Sequence, residues 1–166
     1  MKYAVTDIAK YVIDYCAKAK SPVTNLKLQG LLYFLWVEYY KLTKSYLYKE
    51  ELKAWPFGPA AEDVYYYYCP YGGMPIDDEE YIIVLHPDDK KIIDAILTQY
   101  KDITTGKLIE MTHEAGSPWD VIYNMGSGRE KKIPFDIIVA NEKILNTGKI
   151  RSGILKNSFC RDSLDR

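Results

Sequence analysis

Between Thr24 and Thr43 the sequence describes a helix with almost no polar side. Leu28, Leu31, Leu32, Leu35 and Tyr39 recur at helical spacing, while Leu26, Phe34, Trp36 and Val37 fall outside that stripe. A helix that is apolar nearly all round must be covered on several sides. The chain has 166 residues, which fits one domain. A domain of that size buries about two thirds of the surface its unfolded form exposes, so it needs no metal or disulfide staple. The longest apolar stretch, Leu31 to Val37, is too short to span a bilayer.

The flanking segments read as the covers. Thr6 is placed to cap a first helix, in which Val5, Ile8, Ala9, Val12, Cys16 and Ala19 recur until Ser21-Pro22 breaks the run. From Ser45 to Trp55, Tyr46 and Tyr48 alternate with Leu47 and Lys49, the pattern of a short hairpin. Pro56 and Gly58-Pro59 mark a turn, and Pro59 suits the first position of a third helix that carries Val64 and Tyr65 to Tyr68. Successive helical residues point about 100° apart, so those four rings cannot share a face and at least one is exposed. Pro70 and Gly72-Gly73 end the segment. The acidic run Asp77 to Glu80 reads as a solvated loop, and Ile82 to Leu85 as a strand or buried coil.

Pro87 opens a fourth helix with Ile92, Ile93, Ile96, Leu97 and Tyr100 on one face. Thr104 or Thr105 caps a fifth, reaching about Glu114, and Ser117-Pro118 starts a sixth that ends at Gly126-Ser127-Gly128. Pro134 opens a seventh, with Ile137, Ile138 and Ile144 inward. From Thr147 the pattern fades into a segment with five cations and two carboxylates. The expected organisation is a helical domain over 1–146 and a mobile C-terminal extension over 147–166. The expected fold class is mainly α, a compact multi-helix domain with a small β-hairpin.

Composition narrows the function by exclusion. The formal net charge is -1, so no global field draws the chain to nucleic acid or membrane. Basic residues cluster only locally, in Arg129, Lys131 and Lys132, a solvated loop or a contact for nucleic acid or an acidic partner. Cys16, Cys69 and Cys160 are odd in number and form no CxxC, and the N-terminus has no signal-peptide core, so a reduced, cytoplasmic protein is expected. Cys16 and Cys69 fall in apolar helical stretches, where thiols are inert. His113-Glu114 begins like HExxH, but Ser117 stands at the second His position. Gly126 and Gly128 lack the third glycine of a dinucleotide turn, and there is no Walker sequence or GxSxG elbow. No catalytic residue, metal site or cofactor is therefore expected. His113 suits a hydrogen-bonding position at a helix C-terminus better than a general base, which would need a second group.

Four stretches together resemble the Panacea domain, also described as SocA-like or GepA-like. They are Leu26-Lys27-Leu28-Gln29 with Leu31-Leu32-Tyr33-Phe34; Ala54-Trp55-Pro56-Phe57-Gly58-Pro59; Met111-Thr112-His113 with Ser117-Pro118-Trp119; and Ile133-Pro134-Phe135-Asp136-Ile137-Ile138. Gly30 and Met111 depart from the family's usual Lys and Leu. A glycine inside a helix costs up to about 1 kcal/mol and suggests close approach of another element. The resemblance implies an antitoxin that neutralises a co-encoded toxin by direct protein–protein binding. It implies as an alternative an adaptor that delivers its client to a AAA+ protease, and a third reading is an enzyme using His113 with Glu114. Aromatic anchors dominate interfaces, so Trp55, Phe57, Tyr66 and Tyr67, with His113, are the candidate partner-binding residues. Trp55 and Trp119 are better suited to wedging a turn than to partner contact.

Overall fold

The apolar run becomes α2 (Asn25–Thr43), and the other elements are laid around it. The computed structural model describes residues 3–77 and 83–147. In chain order these form α1 (Val5–Lys18), α2, β1 (Lys53–Trp55), β2 (Gly58–Ala60), α3 (Glu62–Tyr68), α4 (Pro87–Tyr100), α5 (Thr105–Thr112), α6 (Pro118–Tyr123), α7 (Phe135–Asn141) and α8 (Lys143–Asn146). The protein is mainly α with one antiparallel hairpin. Helix α2 is touched by α1, α3, α4, α5, α8 and β2. Every side chain from Leu31 to Val37 is buried. Trp36 is sandwiched in an aromatic stack, its ring centroid 4.7 Å from Phe135 of α7 and 5.3 Å from Tyr40. Gly30 admits α5: a Cβ there would lie 3.2 Å from Leu108 Cβ.

Local capping signals place most helix starts. Thr24, Thr104 and Ser117 accept from the backbone N–H groups of Lys27, Lys107 and Asp120, satisfying donors that a helix start leaves orphaned. His86 Nδ1 does the same for α4 by accepting from Asp88 N–H. The starts of α1 and α7 are capped by glutamates from afar instead. Helix α1 begins at Val5, before the expected cap Thr6, and Glu50 Oε1 accepts the Val5 N–H at 3.0 Å. Helix α7 follows Pro134, and the next glutamate, Glu51, accepts the Phe135 N–H at 3.2 Å. Adjacent carboxylates in one connector thus tie down two helices, each also favoured by the helix dipole.

The hairpin is displaced from where alternation put it. Tyr46 to Tyr48 form no strand pair with one another. Tyr48 bridges Tyr3 in parallel and sends its hydroxyl to Leu32 O at 2.8 Å, and Tyr46 joins the Trp36–Phe135 cluster. Alternation failed because Leu47 and Tyr48 are both buried. The strands lie instead on either side of Pro56-Phe57, with Ala54 opposite Pro59 and Trp55 opposite Gly58. Pro59 therefore sits in β2, which forms the hairpin's outer strand and tolerates a missing N–H, and α3 starts three residues later. The other side of β1 is covered by the 130–133 stretch, through Glu130 N–H to Ala54 O, Ala54 N–H to Lys131 O and Ile133 N–H to Leu52 O.

Other expectations need correction. Helix α5 ends at Thr112, and the seventh helix breaks at Glu142, whose backbone is extended before α8. Cys16 is buried, and desolvation pushes its thiol up to about 11, but Cys69 is exposed. Residues 83–86 are irregular, with Leu85 buried and Val84 exposed. The run Asp78 to Ile82 and the extension after Thr147 lie outside the described residues.

Glu142 is a buried acid with two assigned partners. Tyr33 donates its hydroxyl to Oε1 at 2.6 Å, and Ile144 N–H donates to Oε2 at 3.2 Å. Burial raises its carboxyl above the ordinary value, outweighing these two hydrogen bonds. The folded state therefore holds the Glu142 proton more tightly than the unfolded chain. Its contribution is fully present below the unfolded value and is lost as pH rises through the folded one. In urea melts between about pH 4 and 7, the stability difference between wild type and Glu142→Gln is expected to move in favour of Gln as pH rises. A difference that does not change with pH would contradict it. Separately, Glu51→Ala should lose about 1 kcal/mol in the same melts, the usual worth of a helix cap, and no loss would show that Phe135 N–H finds another acceptor.

Candidate functional site

The residues singled out in the sequence converge on the hairpin turn and α3. The turn is locked from behind. Trp119, in the first turn of α6, donates its indole N–H to Trp55 O at 2.7 Å. His113, at the C-cap of α5, places Nε2 3.1 Å from Pro56 O and Nδ1 2.8 Å from Ile109 O. The imidazole also lies over the indole of Trp119, centroids 3.7 Å apart. Ser117 adds a third tie, donating to Thr112 O at 2.7 Å while capping α6. Two consecutive carbonyls of the turn, those of Trp55 and Pro56, are thus each held by a side chain from the α5–α6 corner.

That lock requires Gly58. Its φ is +130°, a region L side chains rarely adopt, and a Cβ there would meet Thr112 Oγ1 at 3.0 Å. The same geometry describes His113 chemically. Both of its ring nitrogens face backbone carbonyl oxygens, and its neighbour Glu114 pairs with Lys143 at 2.8 Å. The His113–Glu114 pairing considered from the sequence is not formed. Among the described residues no three His, Cys, Asp or Glu side chains cluster as metal ligands, and no helix is long and apolar enough to cross a membrane.

In front of the lock is an aromatic sheet. The Trp55 ring is only 8% exposed, with Tyr65 at 4.9 Å and Phe57 and Tyr66 each at 5.7 Å between centroids. Phe57 is half-buried and packs on Tyr65 at 5.6 Å. Tyr66 and Tyr67 are 58% and 63% exposed, while Tyr68 is buried, which is the division that helical geometry demands of four consecutive rings. Lys10 of α1 holds its ammonium 4.8 Å from the Tyr67 ring centroid, within cation–π range. Beneath Tyr67, between α1 and α3, lies a cleft of about 240 Å³ lined by Thr6, Lys10, Asp63, Val64, Tyr67 and Tyr68.

The sequence-derived candidates therefore divide by position. Trp55 and His113 are supports, Tyr66 and Tyr67 are the surface, and Phe57 lies between. Two further supports lie outside the sequence-derived candidates. Asn25 and Gln29 are buried in the otherwise apolar α2, Gln29 Oε1 accepts Ala61 N–H at 2.8 Å, Gln29 Nε2 donates to Asn25 Oδ1 at 3.1 Å, and Asn25 Nδ2 donates to Tyr65 O at 2.9 Å. Ala61 is the N-cap of α3 and supplies no side-chain cap. The signal was available: a Gln inside the most apolar helix has to satisfy its amide somewhere.

Comparison with known proteins places this assembly. Residues 28–120, more than half of the chain, match the family described as "Antitoxin SocA-like, Panacea domain", and the chain belongs to that family. The match takes in the α2 motif from Leu28 onward, the hairpin turn, α3 and the His113–Trp119 corner. A curated relative, "Antitoxin SocA" of Caulobacter vibrioides (strain NA1000 / CB15N), is 30% identical across 70% of this chain and 69% of its own length. No solved structure matches.

Replacing Gln29 by Leu keeps the volume but leaves the Ala61 N–H and the Asn25 carbonyl oxygen unpaired in the interior. We expect a loss of about 2 kcal/mol in urea unfolding, the cost of a buried orphaned donor. A loss within about 0.5 kcal/mol, the range of a surface change, would show that the network carries no weight.

Proposed function

We propose that this chain neutralises a co-encoded toxin by direct binding, and that the exposed Tyr66–Tyr67 face of α3 is the centre of the contact. The observation that carries the reading is the division just described. Two adjacent tyrosines are held out into solvent by a helix whose start, underside and flanking turn are each fixed by hydrogen bonds from the interior. Tyrosine presents a large apolar body with a polar tip and loses little rotamer freedom on binding, which suits it to an interface centre. A rigid support lowers the ordering cost that association otherwise incurs. Membership of an antitoxin family and likeness to a curated antitoxin supply the class of partner.

The supports have a different role from the surface. Trp55, His113 and Trp119 hold the turn, so their loss acts through the fold. Tyr66 and Tyr67 are mostly exposed, and their ring contacts lie at the surface, so their loss acts chiefly through binding. The test is co-expression with the product of the adjacent gene, scored for growth, followed by calorimetric titration of the purified pair. Tyr66→Ala/Tyr67→Ala is expected to leave the Tm within the small range of a surface change, to weaken Kd at least about 100-fold and to abolish rescue. Binding and rescue at wild-type levels would overturn the assignment of the surface. Rescue lost with binding intact would point instead to delivery of a bound client for proteolysis.

A further inference from the structure

The loop that joins α6 to the 130–133 stretch is built under backbone strain, and it holds an apolar side chain out into solvent. Asn124 has φ +47° and Met125 φ +57°, ψ +27°, so two successive residues with side chains occupy the left-handed region. Asn tolerates that region; for Met it is a steric cost, set against a turn closed by Ser127 N–H donating to Asn124 O at 3.2 Å. Met125 gains no burial, being 97% exposed, the highest value among the large exposed apolar side chains described. The loop is nevertheless fixed. Gly128 N–H donates to Tyr123 O at 2.9 Å, and Gly128 sits so close to Ile122 O that a Cβ would lie 1.7 Å from it. The next residues are pinned to β1 by the three backbone bonds already described.

The same loop carries the basic cluster that the proposed function has not absorbed. Arg129, Lys131 and Lys132 are exposed. Glu130 is the cluster's one carboxylate, 3.9 Å from Arg129 Nε, and no carboxylate of the described residues forms an ion pair with Lys131 or Lys132. The loop adjoins the aromatic face through β1. Lys53 of β1 bridges Lys132 on one side, and on the other the strand leads into Trp55, which packs on Tyr66.

We infer that this loop is a second contact element of the proposed toxin-binding face, and that it receives an acidic protein surface with an apolar socket for Met125. The inference rests on the toxin-binding reading and adds the partner's chemistry to it. Charge complementarity selects an acidic partner, since three cations face outward in a chain whose overall charge is -1. Met125 selects protein over nucleic acid: a flexible thioether on a rigid, strained perch fits an apolar pocket, whereas a phosphate backbone gains nothing from it.

The test uses the full chain and the product of the adjacent gene, with Met125→Gly and the triple charge reversal Arg129→Glu/Lys131→Glu/Lys132→Glu. Glycine relieves the left-handed strain, so Met125→Gly is expected to raise the Tm while weakening Kd at least about tenfold. That opposition separates a binding role from a structural one, which would lower both. The charge reversal is expected to slow association and flatten its dependence on salt between about 50 and 200 mM. If wild type binds the toxin and both variants bind it equally well, the loop inference fails and the toxin reading survives. If wild type binds no toxin, the reading fails and the inference with it. Loop-dependent binding to duplex DNA or poly(U) RNA would overturn the acidic-protein assignment.

Discussion

Everything in this fold answers to one constraint, the need to cover α2 on all sides. A helix with Leu31 to Val37 wholly buried leaves no solvent-facing stripe, so α1, α3, α4, α5, α8 and β2 are all recruited to it. Burying so much apolar surface supplies the main driving force for folding. It also raises the cost of any polar group left on that helix. Asn25 and Gln29 resolve this by becoming the hydrogen-bonding base of α3. Tyr33 resolves it by donating to Glu142 at the junction of α7 and α8. The polar atoms of the central helix thereby set the position of peripheral elements.

This links the core to the face proposed to bind. Helix α3 has seven residues and no side-chain cap of its own, and so short a helix is marginal in isolation. It persists because α2 caps it from below and the Trp55 ring packs beside it. The hairpin turn is held in its turn by His113 and Trp119. The separate sequence runs are parts of one device: the Leu-Gln run caps α3, the Trp-Pro-Phe-Gly-Pro run makes the turn, and the Thr-His and Ser-Pro-Trp runs clamp the turn's carbonyls.

Legibility in the sequence followed the range of the interactions. Helices whose caps are local were placed to within a residue, because Thr24, Thr104 and Ser117-Pro118 act on backbone three positions away. Of the starts capped from a distance, α7 is marked by its own Pro134, but α1 begins before the expected cap Thr6. Nothing beside Val5 or Phe135 announces Glu50 or Glu51, which lie 45 and 84 residues away. Pro59 was misplaced because an N-terminal helix proline and an edge-strand proline share the same missing donor. The break at Glu142 was hidden because a buried Glu that caps the next helix looks like any helical Glu. At the site, helical geometry required that some of Tyr65 to Tyr68 be exposed, but which ones depended on where α1 and the hairpin sit. The strain at Met125 had no sequence signal, since Met is not a residue expected in the left-handed region.

The most direct test of the central claim is amide hydrogen exchange on the full chain, alone and with the product of the adjacent gene. The account predicts new protection concentrated in α3 and its flanking turn, with little change on the outer face of α4. Protection that appears on α4, or anywhere else while α3 exchanges as in the free chain, would contradict the claim that this locked aromatic face is the binding surface.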